Sequence, residues 1–317
     1  LIAIMLTSYG LWVIAISGPL AWLIGGLLLL GSLHLSVGIV NWLVSLMIKP
    51  HRLPRLDFSK GIPAQFRCLV AVPSMLIDES NIAHLIEGLE IRYLANRDSS
   101  LRFCLLTDFR DAASQSLPED ETLMRAARIG IESLNQKYRN GSEDIFFLFH
   151  RPRLWNSSEK AWIGQERKRG KLRDLNALLR GGSRDPFSMI VGQLAALPAF
   201  RYVITLDTDT QLPRESAHQL VGTLAHPLNH ARVNPRRNVV TEGYGILQPG
   251  VSTTLEPIGQ SSFARLNSGM QGIDPYTQTV SDIYQDLFHE GSYIGKGIYD
   301  IDAFTTTTHH RFSDNRI

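Results

Sequence analysis

The first 48 residues of the chain contain no aspartate, glutamate, lysine or arginine. A membrane-spanning helix needs about 20 apolar residues, so this stretch has room for two. Gly18 and Pro19 interrupt it, and this pair is typical of a turn. We therefore expect a first helix over residues 1–16, truncated at its start, and a second over 20–48. We expect no cleaved signal peptide, because the apolar region is too long and has no basic start. A buried hairpin in a soluble protein is the alternative.

Cysteine and net charge are also scarce. The two cysteines, Cys68 and Cys104, show no zinc-type Cys/His spacing, and both lie in apolar, strand-like runs. We predict that they are reduced core residues of a cytosolic domain. The net charge is only +2, and there is no aromatic and basic stripe of the kind that single-stranded nucleic acid needs. The sequence therefore predicts no nucleic-acid partner.

Basic residues follow the uncharged stretch at once, in Lys49–Arg55. Positive charge beside a spanning segment favours the cytoplasmic side. We expect 1–48 to be transmembrane helices, 49–66 to be a membrane-proximal linker, and 67–317 to be a cytosolic domain. The chain begins inside a hydrophobic run and ends without a closing element, so we expect a fragment of a longer chain whose last domain is incomplete.

From residue 67 onward, strand-like and helix-like segments alternate. Short apolar runs predict strands at 67–72, 101–106, 145–149 and 202–206, with a further β-like stretch at 239–247. Helical periodicity and Pro or Gly at the ends predict helices at 81–95, 119–138, 171–179, 213–224 and 257–270. This alternation predicts βαβ units and an α/β fold with a mostly parallel sheet.

Two carboxylates, Asp207 and Asp209, follow the strand predicted at 202–206. Side chains at i and i+2 of a strand point the same way, so we expect both to face one site. Like charges this close repel unless a cation lies between them, and hard oxygen ligands beside a phosphate are typical of Mg²⁺ or Mn²⁺. The pattern predicts a metal–diphosphate site at the carboxyl edge of the sheet. An Asx-rich turn is the alternative.

Two further features point to the same edge. Asp108 ends the second predicted strand, where a carboxylate could accept hydrogen bonds from uracil or ribose; a turn cap is the alternative. A basic loop, Arg167–Lys171, leads into the predicted helix 171–179. Its cations could hold a diphosphate with help from the helix N-terminus. The alternative is a solvated basic face.

A dense polar and aromatic tract spans residues 274–297, and Asp274 and Asp286 are among its four carboxylates. Aromatic side chains beside polar groups suit sugars, because a sugar ring has apolar faces and polar edges. A loop of Asx turns and packed tyrosines is the alternative. The residues alone do not indicate which of these four carboxylates has a functional role.

Several longer motifs resemble the cyclic β-1,2-glucan synthases, which are glycosyltransferases of family 84, related to family 2. These motifs are Pro54–Pro63, Arg169–Asn176, Ile204–Arg214, Ala225–Asn229, Gly245–Pro249, Asp282–Phe288 and Glu290–Asp300. The resemblance covers residues 50–304, and the hydrophobic 1–48 is similar to the membrane spans that precede this region in the family.

The resemblance implies a multi-pass enzyme of the bacterial inner membrane with a cytosolic GT-A-type, Rossmann-like domain. It implies an inverting, metal-dependent transfer from UDP-glucose, with Mg²⁺ or Mn²⁺, to a growing β-1,2-glucan that is released as a ring. The expected partners are UDP-glucose, the acceptor glucan and membrane lipid.

The resemblance also assigns residues. Asp207 and Asp209 match the family's metal and diphosphate motif, and Asp108 matches its nucleotide-binding acid. Lys171 matches a position near the diphosphate or uracil, and Arg169 and Asn176 share its motif as donor-binding candidates. The Ser-His-Asp or Thr-Glu-Asp tract that holds the catalytic base in related membrane glucosyltransferases is absent, as is the Gln-x-x-Arg-Trp motif. We expect the base to lie beyond Ile317, with Asp274 or Asp286 as fallback candidates.

Three other functions fit parts of the sequence. Asp207–Thr210 also resembles part of the Asp-x-Asp-x-Thr nucleophile loop of haloacid-dehalogenase-type phosphatases, although those enzymes carry it on the first strand and here it follows the fourth. A non-catalytic membrane scaffold or glucan-binding protein is the second alternative. A processive synthase of the cellulose or hyaluronan type is the third.

Overall fold

The structure is a computed structural model that describes residues 2–14, 19–47, 52–139, 143–250, 291, 293 and 295–308. The chain divides into two compact units, one of residues 1–52 and 250–292 and one of residues 53–249 and 293–317. The predicted helix 257–270 lies outside the described residues, as do Asp274 and Asp286.

Two apolar helices make up the described part of the first unit. They are α1 (Ile2–Ile14) and α2 (Pro19–Met47), close to the predicted bounds. Within α2, Trp22–Val40 is long and apolar enough to cross a membrane, and only 6% of that span is buried. Within this chain, such exposure does not fit a hairpin buried in a soluble core. At 13 residues, α1 is shorter than a span requires, so a membrane region of two helices stays a prediction.

The second unit is built around a seven-stranded sheet. Its elements are β1 (Cys68–Leu76), α3 (Glu79–Ala95), β2 (Leu101–Phe109), α4 (Asp120–Tyr138), β3 (Phe146–His150), β4 (Leu154–Asn156), β5 (Ala161–Ile163), α5 (Arg167–Leu179), β6 (Met189–Val191), β7 (Tyr202–Thr205), α6 (Ser216–Leu224), β8 (Arg232–Asn234), β9 (Val239–Glu242), β10 (Ile246–Leu247), β11 (Gly297–Asp300) and α7 (Ile301–Thr308). The strand order is β10-β11-β7-β1-β2-β3-β6. The four central strands are parallel, and β6, β10 and β11 are each antiparallel to a neighbour. The predicted α/β fold with a mostly parallel sheet is confirmed.

Helices cover both faces of this sheet. On one face, α3, α4 and α6 pack their apolar residues against the strands, and on the other α5 and α7 do so. Strands enclosed on both faces read as continuous apolar runs, and all nine residues of β2 are buried. Cys68 and Cys104 are both buried and free, as predicted, and burial raises the pKa of each thiol.

Strand β1 extends four residues beyond the predicted end at Val72, through Pro73. β1 pairs with β2 over its whole length but with β7 only as far as Ala71. The carbonyl of Ala71 accepts from the Leu206 amide on the β7 side. Backbone polar groups point alternately to the two neighbouring strands, so the nitrogen of Pro73, two residues after Ala71, faces the β7 side. Proline has no N–H to donate there, and β7 has already ended. Proline is tolerated in a strand where no partner needs its donor.

Two other predicted boundaries are wrong. The basic segment before residue 171 is not a loop, because α5 begins at Arg167. Glu166 and Arg167 adopt positive φ angles of 58° and 45°, which turn the chain into the helix early. The β-like stretch 239–247 is divided into β9 and β10 by Gly243, whose φ of 71° ends the first strand.

Candidate functional site

The carboxyl ends of β1 and β7 lie at a switch point of the sheet. From β1 the chain builds β2 and β3 on one side, then returns to place β7 on the other. Ligands of open α/β sheets bind at such a point. A cavity of about 300 Å³ lies here. Residues of several elements and adjoining loops line it, among them Ser74, Asp108, Arg167, Lys168, Lys171 and Thr208.

Asp108 lies near the end of β2, where the sequence predicted it, but its oxygens already have partners. Arg151 forms a two-point salt bridge with it, Nε to Oδ1 at 2.9 Å and Nη2 to Oδ2 at 3.0 Å. Lys171 Nζ lies 3.3 Å from Oδ2. All three side chains are buried. A Cβ added to Gly164 would lie 2.2 Å from Oδ2, so only glycine lets the chain pass this carboxylate.

Four of the predicted donor-binding residues divide into two pairs. Asp108 and Lys171 line the cavity, and the Lys171 ammonium also donates to the Ser74 carbonyl. Burial lowers the pKa of Lys171, and Asp108 opposes this shift. Arg169 and Asn176 are not among the residues that line the cavity: Arg169 is exposed and paired with Glu166, and Asn176 is buried and accepts from the Tyr299 hydroxyl at 2.9 Å. Their roles stay predictions.

Asp207 and Asp209 lie in a turn rather than in a strand. β7 ends at Thr205, and the amide of Thr210 donates to the Asp207 carbonyl at 3.1 Å. Strand alternation therefore does not orient these carboxylates, as the sequence analysis had assumed. Asp207 is half-buried, whereas Asp209 is exposed and accepts from the Thr210 hydroxyl at 3.3 Å.

Arg92 holds this turn in place. Its buried guanidinium donates to the carbonyls of Thr208 at 2.8 Å, of Thr210 at 2.7 Å and of Asp207 at 3.3 Å. The sequence analysis missed this residue. A signal existed, because Arg92 follows Leu85 and Leu89 on the buried face of α3, where a charged residue needs a specific partner.

Two lysines flank Asp207: Lys168, one of the cations predicted in the basic segment Arg167–Lys171, and Lys296, which was not predicted. The Lys168 ammonium contacts Asp207 Oδ1, and Lys296 Nζ lies 3.3 Å from Oδ2. Burial raises the pKa of Asp207, but the two ammonium groups outweigh it and leave that pKa below its usual value. Lys168 lies in the first turn of α5. Lys296 is placed by β11, whose Gly297 pairs with Thr205 of β7.

The donor set fits a hard divalent cation that also binds a phosphate. Within the residues that the structure describes, no group of three or more His, Cys, Asp or Glu side chains is placed to hold a metal. Mg²⁺ commonly takes one or two carboxylates and completes its shell with substrate phosphates and water. Asp207 and Asp209 supply such a pair, and oxygen ligands suit Mg²⁺ or Mn²⁺ better than softer metals.

His150, at the end of β3, predicts an acid-sensitive fold. Burial lowers its pKa from 6.5 to about 4, and its Nε2 has no hydrogen-bond partner among the described residues. Between these values the unfolded chain binds a proton that the folded chain does not, so stability falls as pH falls from 6.5 towards 4. From pH 7 to pH 4.5 this group should cost about 2–3 kcal/mol.

Denaturant unfolding of the wild type and of His150→Gln at both pH values tests this. Other groups titrate in both proteins, so the difference between their free energies of unfolding isolates the effect of His150. This difference should be smaller at pH 4.5 than at pH 7 by that amount. Parallel pH profiles would show that His150 does not cause the acid sensitivity.

The sequence was compared with protein-family models and with characterised proteins to test the resemblance to cyclic β-1,2-glucan synthases. No protein-family model matches the chain. Over 283 residues, 89% of the chain, it is 42% identical to the cyclic beta-(1,2)-glucan synthase NdvB of Rhizobium meliloti (strain 1021). The chain spans 10% of the length of that relative. The resemblance indicated by the motifs is therefore confirmed: this chain is similar in sequence to a segment of a cyclic β-1,2-glucan synthase.

Proposed function

We propose that this chain forms the donor-binding part of an inverting glucosyltransferase that uses UDP-glucose to build a β-1,2-linked glucan. One observation carries the proposal. The cavity at the switch point of the sheet is lined by Arg167, Lys168 and Lys171 of α5 and by Thr208, which lies between Asp207 and Asp209 in the turn after β7. Carboxylates for a metal beside cations for phosphate are what a nucleoside diphosphate requires. The similarity to NdvB supports the glucan as the product.

The first turn of α5 supports an anionic ligand. It holds no acidic residue, and its Arg167 and Lys168, together with Lys171, line the cavity. Cations at a helix N-terminus interact unfavourably with the helix dipole, so these residues destabilise the start of α5. Such conflicts are expected at functional sites. A bound diphosphate would offset this charge and would lie at the positive end of the helix dipole.

In the proposed reaction, the 2-hydroxyl of the acceptor attacks the anomeric carbon of α-linked glucose, and UDP departs from the opposite face. The bond formed is therefore β. The basic turn of α5 stabilises the negative charge that develops on the departing diphosphate. A divalent cation held by Asp209 and Asp207 would neutralise part of that charge. A carboxylate base removes the hydroxyl proton; its fallback candidates, Asp274 and Asp286, lie outside the described residues.

We also propose that α1 and α2 both belong to a multi-pass region of the inner membrane. The low burial of the apolar span Trp22–Val40, only 6% of it, supports this, and so does the similarity to a synthase of this family. The basic segment Lys49–Arg55 favours a cytosolic position for the residues that follow it.

Asp209→Ala tests the proposed function. Calorimetry on the detergent-solubilised chain should detect UDP-glucose binding that Mn²⁺ tightens, and the variant should weaken binding in the presence of Mn²⁺ at least tenfold, because a metal ligand contributes several kcal/mol. The melting temperature should not change, since Asp209 is exposed.

Asp185→Ala is the matched control, because Asp185 is also an exposed aspartate but lies between α5 and β6, outside the turn that bears Asp207 and Asp209. It should bind like the wild type. Unchanged Mn²⁺-dependent binding in Asp209→Ala would contradict the assigned metal ligand. If the folded wild type bound no UDP-glucose, the donor site would be rejected, and a phosphatase assay would come next.

A further inference from the structure

Asp207 lies between two ammonium groups, one on each carboxylate oxygen. Lys168 contacts Oδ1, and Lys296 Nζ lies 3.3 Å from Oδ2. The three side chains together carry one excess positive charge. Each is only partly buried, with 35% of Lys168, 21% of Lys296 and 37% of Asp207 exposed. Lys168 also lines the cavity, so a ligand there can contact this member of the cluster.

Three distant parts of the chain build this cluster. Lys168 is in the first turn of α5, Asp207 follows β7, and Lys296 precedes β11. The pairing of Gly297 with Thr205 brings the last two together. Gly295 contributes as well: its carbonyl accepts from Lys168 Nζ at 2.9 Å, and its φ of 83° is one that glycine favours. A Cβ at this position would lie 3.0 Å from Lys168 Nζ.

The cluster fits a ligand with more negative charge than one carboxylate. A partly exposed ion pair is weak and easily exchanged, and a lysine ammonium is an effective point charge for phosphate. We propose that Lys168 and Lys296 bind the diphosphate of the donor, and that Asp207 holds the two lysines in position until the diphosphate arrives. This rests on the proposed function, and it names the residues that recognise the phosphates.

A binding order follows. A divalent cation that approaches the ligand-free site meets two ammonium groups already at Asp207, and like charges disfavour its entry. Once the diphosphate draws the lysines away, both oxygens of Asp207 would be available to hold a cation. The cation therefore binds tightly only together with the nucleotide.

The experiment compares Lys168→Met and Lys296→Met with the wild type, using the whole chain in detergent. Calorimetry with UDP in the absence of metal should show binding at least tenfold weaker in each variant, whereas uridine, which has no phosphate, should bind equally to all three proteins. Binding of Mn²⁺ alone, followed by the paramagnetic resonance of the free ion, should become at least tenfold tighter in the double variant. Lys160→Met, at an exposed lysine between β4 and β5, is the control for lost charge.

Asp207→Asn provides an independent arm, because it frees both lysines without removing them. Metal-free UDP binding should be retained or tightened in this variant, in contrast to the lysine variants. The proposal is overturned if the folded lysine variants bind UDP like the wild type, or if Mn²⁺ alone binds no more tightly to the double variant. Those results would leave the proposed function standing, whereas a folded wild type that binds neither UDP nor uridine would reject both.

Discussion

Replacing Asp108 with asparagine is expected to lower the free energy of unfolding by about 3–5 kcal/mol, the cost of breaking a buried ion pair by removing one partner. The variant keeps the shape of the side chain but leaves the buried cations of Arg151 and Lys171 without their shared carboxylate. Arg151 would keep Asp174, at 2.7 Å, as its remaining acidic partner. Denaturant unfolding at neutral pH measures the loss.

Asp185→Asn is the control, since it makes the same chemical change on an exposed side chain and should change stability by less than about 0.5 kcal/mol. The experiment also separates two roles for Asp108. A variant as stable as the wild type that no longer binds UDP-glucose would contradict the structural role and support the nucleotide contact predicted from the sequence. A destabilised variant whose folded fraction still binds would support the structural role.

Arg92→Met is expected to disable the turn that bears Asp207 and Asp209. The methionine fills much of the same volume, but the carbonyls of Thr208 and Thr210 lose the guanidinium donor, and that of Asp207 keeps only the Thr210 amide. Because a hydrogen bond from a charged group contributes about 1.5–3 kcal/mol, we expect a loss of about 3–4 kcal/mol in stability. We also expect Mn²⁺-dependent binding of UDP-glucose to fall by about a hundredfold or more. Binding would have to restore the shape of the turn, and this would cost more than the roughly 2.7 kcal/mol to which a hundredfold corresponds.

Arg92→Lys tests whether the guanidinium geometry matters. A lysine keeps the charge but cannot reach three carbonyls with one planar group, so binding should lie between that of the wild type and that of Arg92→Met. If both variants bound the donor normally after correction for the folded fraction, the turn would not depend on Arg92 for its shape.

The sheet was predictable because its strands are buried on both faces. Runs such as 101–106 carry a continuous apolar signal that needs no partner to be recognised, and their order along the chain indicates the parallel arrangement. Strand ends were harder to predict. The sequence predicts that β1 ends before Pro73. In the structure β1 continues through Pro73, because its pairing with β7 stops two residues earlier, at Ala71.

The partners of the candidate residues were not predictable in the same way. The sequence placed Asp108 and Asp207 at one edge of the sheet, but it gave no indication that Arg151 or Lys296 would meet them. These contacts depend on antiparallel pairing of β11 with β7 and on the path of the chain through Gly164. Such information is in the tertiary structure and not in any local pattern.

The position of β11 has a consequence for biosynthesis. β7 has β1 on one side, which has already been made when β7 leaves the ribosome, but its other neighbour begins about 90 residues later. At a synthesis rate of about 5–20 residues per second, β7 presents an unpaired edge for roughly 5–20 s, and open edges are where chains associate wrongly. Lys296 arrives immediately before the strand that closes this edge, so the nascent chain completes its sheet and its charged cluster in a single step.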